Sequence, residues 1–395
     1  MPRLNTARFR LHSDKLFRGM TRRVFATLSR EKEEPYLRAP EWLILCVNNV
    51  CNLHCRMCDV GLGESGSMFW ANLIGDNPHD MTEDLFECIL DQADAFFPRP
   101  RISLTYTEPL IHPKVLSFVD EIVDRGLYSA ITTNGLFLPR LADELVKRGV
   151  QEVTVSVDGP SAVHDRIRGR RHSFARLYEG IERLSAARSR RRRRTPKIQL
   201  SFTISDLNAN HIVDFLDAVK TLDVDAIYIS HLNFISDRMA RVHNRFHHGD
   251  LRVSPSNVHK IDPGSFHPER LYEELRRVDA WIARKKPSFE VRITPRLTSP
   301  TEITRYYQEP LSFIGGRRCT SPWEMMMIRT DGSVIPAQGR CFDYALGTVT
   351  ETPLREIWHG PVFNHFRRIL REGGGTLPAC SRCCGIVGKP SESVE

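Results

Sequence analysis

From residue 42 to residue 232 the chain alternates short, nearly continuous apolar runs with longer stretches of helical periodicity. The runs are WLILCV (42–47), ISLTY (102–106), SAITT (129–133), VTVSV (153–157), IQLSFTI (198–204) and AIYISHL (226–232). Segments this short, rich in β-branched residues and apolar at both alternating positions, predict strands buried on both faces. Between them, helical patterns cover 82–96, 113–125, 139–148, 173–187 and 209–222. Thr82 with Glu83 and Asp84 behind it, and Pro113 and Pro139 in first-turn positions, mark helix starts. Six β/α units in succession predict an α/β fold with a parallel sheet, a partial (β/α)6 TIM-like barrel short of the eight units of a complete one. Side chains at the carboxyl ends of such strands line the site.

After residue 235 the rhythm breaks. Residues 236–312 carry several Pro, His and Arg, a helical pattern over 268–284 and a strand-like FEVRITP (289–295), and are expected to bridge over the active site. The two histidines of FHHGD (246–250) lack a third ligand at helical spacing and read as surface residues. Residues 313–395 form a small second, cysteine-rich domain: EMMMIRTDGSVIPA holds two β runs about the Asp331-Gly332 turn, a hairpin, and a helix over 353–371 leads to PACSRCCG. The barrel core is then 39–235, preceded by a basic extension, 1–38.

That extension has eight Arg or Lys and one acid in its first thirty residues, with apolar residues interleaved. The expectation is a surface helix capping the fold, with peripheral membrane contact as the secondary reading. The formal charge is +8, and the run Arg190 to Arg194 supplies five of the positive charges locally. Such a run reads as a solvated loop, and no nucleic-acid partner is expected. No stretch reaches the roughly 18 apolar residues of a membrane span and no cleavable apolar leader is evident, so a cytoplasmic protein is expected.

Ten cysteines need a reason in that compartment, where thiols stay reduced. They fall in two groups, Cys46, Cys51, Cys55 and Cys58 at the front and Cys319, Cys341, Cys380, Cys383 and Cys384 at the back, with Cys88 apart; two groups suggest two metal sites. The C-x3-C-x2-C of Cys51, Cys55 and Cys58 follows the first strand directly. Three thiolates do not close a tetrahedral zinc site alone, though His54 or Cys46 could complete one. They can instead hold three corners of a 4Fe-4S cubane and leave one iron open.

CNLHCRMC (51–58) resembles the signature of the radical S-adenosylmethionine (SAM) enzymes, and the resemblance covers nearly the whole chain. It implies a cluster on Cys51, Cys55 and Cys58 whose open iron is chelated by the methionine end of SAM. YTEPLIHP (106–113) stands in place of the family's Gly-Gly-Glu-Pro motif, with Tyr106 and Thr107 where the glycines are usual. By that resemblance Glu108 accepts from the SAM amino group and Thr107 lies beside it. TTNG (132–135) brings Asn134 to the third strand end, and VSVDGPSAVHDRIRG (155–169) is similar to the fourth-strand segment of members with an added cysteine-rich domain. Ser156, Asp158 and Arg168 are its candidates for the ribose and the methionine carboxylate, and Met57 for packing against adenine, with core packing as the alternative for Met57.

The second cysteine group resembles the SPASM extension or its shortened twitch form. Five cysteines there imply one auxiliary 4Fe-4S cluster, on Cys319, Cys341, Cys380 and Cys383. After the hairpin the family usually reads Pro-Cys, whereas this chain has Pro336-Ala337 with Cys341 four residues later; the expectation is that Cys341 takes over by a shifted loop, the alternative that the site is incomplete and binds zinc or nothing. Cys384 is a spare, a substitute ligand or a hydrogen donor, while Cys46 and Cys88 read as packing residues.

The resemblance implies reductive cleavage of SAM to a 5'-deoxyadenosyl radical that abstracts hydrogen from a C–H bond, an oxidoreductase- or epimerase-type reaction in natural-product biosynthesis, fed by a flavodoxin or ferredoxin-type reductant. About forty residues precede the first strand, too few for the peptide-binding domain many peptide maturases carry. A small molecule such as a sugar, aminocyclitol or lipid-linked compound is the expected substrate, ending in dehydrogenation, epimerisation or bond formation. The alternatives are maturation of a ribosomal peptide and, from another class, a non-catalytic iron–sulfur sensor or structural protein. Tyr106, His231 and Asn233 are candidate substrate contacts.

Overall fold

The computed structural model describes residues 38–75, 79–247, 249–257, 267–314 and 318–387. The basic stretch before residue 38 lies outside them. Six strands occur where the apolar runs stand: β1 Trp42–Leu45, β2 Arg101–Leu104, β3 Ser129–Thr133, β4 Glu152–Ser156, β5 Lys197–Ile204 and β6 Ala226–His231. A seventh, β7 Glu290–Thr294, is the strand-like segment of the bridging stretch and pairs parallel with β6. The hairpin gives β8 Met325–Ile328 and β9 Ser333–Pro336, followed by the short β10 Gly347–Thr348.

All ten belong to one sheet, ordered β10-β9-β8-β1-β2-β3-β4-β5-β6-β7. β8 runs parallel to β1, with Trp42 opposite Met325. The first strand of the cysteine-rich part therefore takes the place beside β1 that the last strand of a complete TIM barrel would fill. The α/β partial-barrel class holds, with seven β-strands in series where the apolar runs gave six.

Period-2 alternation sorts the side chains of β1. Leu43, Leu45 and Val47 enter the large core under the helices, whereas Ile44 and Cys46 join Phe69, Leu73, Ile74, Met327 and Ile335 in a second apolar cluster. Both faces are covered, which is why the run looked continuously apolar.

The helices follow their signals. Thr82 caps Glu83–Ala93, its Oγ1 accepting from Leu85 N at 3.2 Å. Several helices had no strong periodic signal, among them Met68–Leu73, Ser161–Arg168, Asp237–Phe246 and Pro300–Gln308. The single helix expected over 353–371 is two, Leu354–His359 and Pro361–Glu372. Gly360 between them is extended (φ −72°, ψ 164°), because the residue before a proline is pushed out of the helical region. In FHHGD, His247 stacks on His243 with ring centroids 4.7 Å apart.

Candidate functional site

The loop after β1 is fastened from several directions. Asn48 donates from Nδ2 to the Glu108 carbonyl at 2.8 Å, and Thr107 Oγ1 donates to the Asn48 carbonyl at 2.7 Å. Asn49 Nδ2 reaches the Ile74 carbonyl at 2.8 Å. Within the loop Cys58 N donates to Cys55 O at 3.2 Å, and Arg56 N donates to Ile167 O at 2.8 Å, tying it to helix Ser161–Arg168. Two glycines permit this packing: a Cβ on Gly61 would lie 2.5 Å from Cys55 N, and one on Gly169 would lie 2.6 Å from His54 O. Asp59, next after Cys58, accepts from Asn257 N at 3.0 Å and so fixes the loop to the bridging stretch.

Cys55 is buried, Cys51 and Cys58 half-buried. Burial pushes the Cys51 thiol up to about 11 and the Cys55 thiol to about 12. Thiolates at such positions need positive charge, which bound iron supplies. One cation is already in place, Arg168 Nη1, 3.8 Å from Cys55 Sγ. Among the described residues no three His, Cys, Asp or Glu side chains converge on a single ion. Thiolates on different irons of a cubane do not need to.

Beside this loop lies a charged pair of groups with unspent bonding capacity. Glu108 is fully buried at the end of β2. Its carboxylate accepts from Leu110 N (3.1 Å), Thr133 Oγ1 (2.7 Å) and Asn134 N (2.6 Å). A carboxylate has about four acceptor positions, so one is left for an amino N–H. Arg168 is ion-paired with buried Asp158 at 2.5 Å, and its Nε is buried without a hydrogen-bond partner. An unsatisfied acceptor position and an orphaned guanidinium N–H match the amino and carboxylate ends of an amino acid. Asn134 Nδ2 also donates to Asn52 Oδ1 at 2.7 Å, joining the third strand end to the cysteine loop. Ser156 closes β4 half-buried, and Met57 is a half-buried side chain packed on the main core.

The second group of cysteines gathers at one place. Cys319, Cys341, Cys380 and Cys383 line one pocket, with Met68, Ile235, Gln338 and Arg340 among its walls. Burial drives Cys341 up, and Cys380 to about 12, so this pocket too favours thiolates only against bound metal. After Ala337, at φ 59°, the chain turns towards Cys341, and Asn72 Nδ2 holds the turn by donating to the Gly339 and Cys341 carbonyls at 2.9 and 2.7 Å. Cys384 lies outside the lining, its Sγ against the Gln338 amide. The motif is anchored by Arg382, fully buried, which donates to the carbonyls of Arg305 (2.7 Å), Tyr306 (2.5 Å) and Glu309 (3.0 Å) and thus caps the end of helix Pro300–Gln308.

Residues 45–219 match the sequence profile of the Radical SAM superfamily, and residues 319–384 match SPASM, the iron-sulfur cluster-binding domain. The chain is a radical SAM enzyme with a SPASM domain. Its cofactors are accordingly a 4Fe-4S cluster, SAM and auxiliary iron–sulfur. The chain is 26% identical over 366 residues to the tungsten-containing aldehyde ferredoxin oxidoreductase cofactor-modifying protein of Pyrococcus furiosus, covering 87% of each. It is 24% identical over 346 residues to pre-heme d1 synthase of Dinoroseobacter shibae, covering 85% of this chain and 78% of that protein. Among solved structures, Streptococcus suis SuiB bound to S-adenosylmethionine superposes with a TM-score of 0.58 at 14% identity, over 91% of this chain and 75% of that one. At that identity the likeness speaks for the fold alone.

Within the radical SAM fold the three candidate substrate contacts separate. Tyr106 turns its hydroxyl to the SPASM part, accepting from Gly339 N at 2.8 Å and donating to Gln338 Oε1 at 3.2 Å. His231 shares the parity of Ile227 and Ile229 and faces the helix shell, its Nδ1 2.8 Å from Tyr307 OH. Burial holds its pKa down at about 3, so the imidazole is neutral there. Asn233 lines a second, small pocket with Ser256, Arg340, Arg382 and Cys383. Sequence reasoning missed Asn48, Asn52, Asp59, Gln338 and Arg382. Their partners lie on other strands or in the other half of the chain, and only Arg382, between two cysteines, carried a local cue. Cys46 is buried, donating to Asn48 O at 3.1 Å, and Cys88 accepts from Gln92 at 3.2 Å, as packing residues do.

Proposed function

We propose that this enzyme abstracts hydrogen from a C–H bond of a polar small molecule held between the end of β6 and the SPASM cysteines. The observation that carries this reading is the pocket lined by Asn233 and Arg340, whose Oδ1 and Nη1 are buried without a hydrogen-bond partner. Unsatisfied buried polar atoms cost about 1–3 kcal/mol each, and a ligand that pairs them recovers that. Arg340, Ile235, Ala379 and Cys383 line both this pocket and the cysteine pocket, so a substrate there touches the auxiliary site. Two relatives that match over most of the chain are named for a cofactor and a pre-heme, which is in keeping with a small molecule.

In this reading Cys51, Cys55 and Cys58 hold the cluster that binds SAM, and Cys319, Cys341, Cys380 and Cys383 hold one auxiliary cluster. When bound, the cluster and SAM supply one-electron cleavage of the sulfonium and, from it, hydrogen abstraction. The chain does the rest. Glu108 orients the amino group, with Thr107 and Asn134 setting its strand end; the Arg168 guanidinium, charged against Asp158, takes the carboxylate; Ser156 and Met57 face ribose and adenine. Electrons arrive from an acidic flavodoxin or ferredoxin-type donor at the exposed arginines Arg56, Arg166, Arg170 and Arg171, on the outer side of the cysteine loop.

The test is 5'-deoxyadenosine formation by the anaerobically reconstituted protein; a yield no higher than that of Cys55→Ala overturns the enzymatic role. Incubation with the deuterated low-molecular-weight fraction of a cell extract should place deuterium in the 5'-deoxyadenosine. Deuterium transfer from the peptide fraction alone would make the peptide-maturase alternative the correct one.

A further inference from the structure

Tyr106 occupies a backbone position that suits glycine. Its φ is 82°, in the left-handed region, which costs a bulky side chain about 1–2 kcal/mol. The family resemblance puts a glycine at this place, and a glycine would carry no such strain. The tyrosine ring packs edge-on against Phe69 at 6.1 Å, and a Cβ on Gly339 would come within 3.0 Å of its Cε1. Its hydroxyl completes a chain of contacts: Gly339 N donates to it, it donates to Gln338 Oε1, and Gln338 Nε2 donates to Cys383 Sγ at 3.6 Å and to Cys384 Sγ. An amide side chain whose oxygen is fixed by one donor has its nitrogen fixed too. Tyr106 therefore decides which way the Gln338 N–H points.

We infer that Tyr106 is a positioning residue for the auxiliary cluster: through Gln338 it aims an N–H at the Cys383 thiolate and raises the cluster's reduction potential. Hydrogen bonds to ligand sulfur stabilise the reduced, more negative cluster. The inference rests on the reading of Cys383 as a ligand. It also gives the residue two places before Glu108 a role in the other half of the chain, so the SAM pocket and the auxiliary site share one strand end.

The test uses the full chain with Cys51, Cys55 and Cys58 changed to Ala, leaving the auxiliary site alone. Iron should stay at about four per chain. Adding Tyr106→Phe, which keeps the ring and removes the hydroxyl, should lower the midpoint potential in an EPR-monitored titration and alter the reduced-cluster signal, with iron content unchanged. Gln338→Leu should lower the potential as well, and the two together should lower it no further than Gln338→Leu alone. A potential unmoved by Tyr106→Phe, with the cluster present, overturns the role of Tyr106; an iron-free triple variant overturns the auxiliary-cluster reading beneath it.

Discussion

Glu108 is pushed up to about 7 from an ordinary carboxyl value of 4.5, first by burial, against the three donors that hold it down. Its folded value is raised, so the stability its protonated form contributes is fully present below about 4.5 and is lost as pH rises through about 7. Glu108→Gln should flatten that part of the stability-versus-pH curve of the metal-free protein. The ionised carboxylate is the better acceptor for the SAM amino N–H, so SAM affinity measured calorimetrically should rise from pH 6 to pH 8 in the parent. In Glu108→Gln it should be about 10–100-fold weaker, as loss of a charged hydrogen bond of roughly 1.5–3 kcal/mol implies, and less dependent on pH. At this scale the sequence was legible where chemistry is local. The three cysteines and Glu108 announce themselves by spacing and motif, whereas Asn48, which ties their two loops together across sixty positions, has no local mark. A strand-end position alone does not say which face a side chain takes; for His231 the parity with Ile227 and Ile229 does.

At the scale of elements, the short helix Asp59–Leu62 sits so tightly on the cysteine loop that Gly61 has no space for a side chain. The nearest atoms are backbone, Cys55 N and O at 2.5 and 3.0 Å, and cannot rotate aside. Gly61→Ala should therefore displace the loop, costing about 1–3 kcal/mol in denaturant unfolding and reducing iron at the first site while the auxiliary iron is retained. Gly66→Ala, with nothing within 4 Å of its Cβ, should change neither. The strands were legible to within two residues because two-sided burial makes an unbroken apolar run. The break at Gly360-Pro361 was readable in principle, since proline there begins a helix and does not continue one. The pairing of MMMI with WLIL was not: two apolar runs nearly three hundred residues apart hold no record of their register.

At the scale of the whole molecule, the net charge of +8 says little, because its arrangement decides what it does. The densest run precedes β5, at the amino ends of the strands and so opposite the cysteine loop, and is paired within the chain: Arg190 and Arg191 meet Asp143 at 2.6 and 3.3 Å, and Arg193 donates to the Val146 carbonyl at 2.8 Å. Arg56, Arg166, Arg170 and Arg171 are fewer but exposed, and the bond from Arg56 N to Ile167 O places them together over the cysteine loop. The proposed acidic electron donor, if steered by this patch, would be brought to the cysteine loop. Arg170→Glu combined with Arg171→Glu should lower flavodoxin-driven 5'-deoxyadenosine formation about tenfold or more at low salt. The difference from the parent should shrink as ionic strength rises and the Debye length falls. Turnover driven by dithionite, which needs no docking surface, should match the parent's at every salt concentration. Equal losses with both reductants would place the two arginines in the fold of the loop and not at its surface.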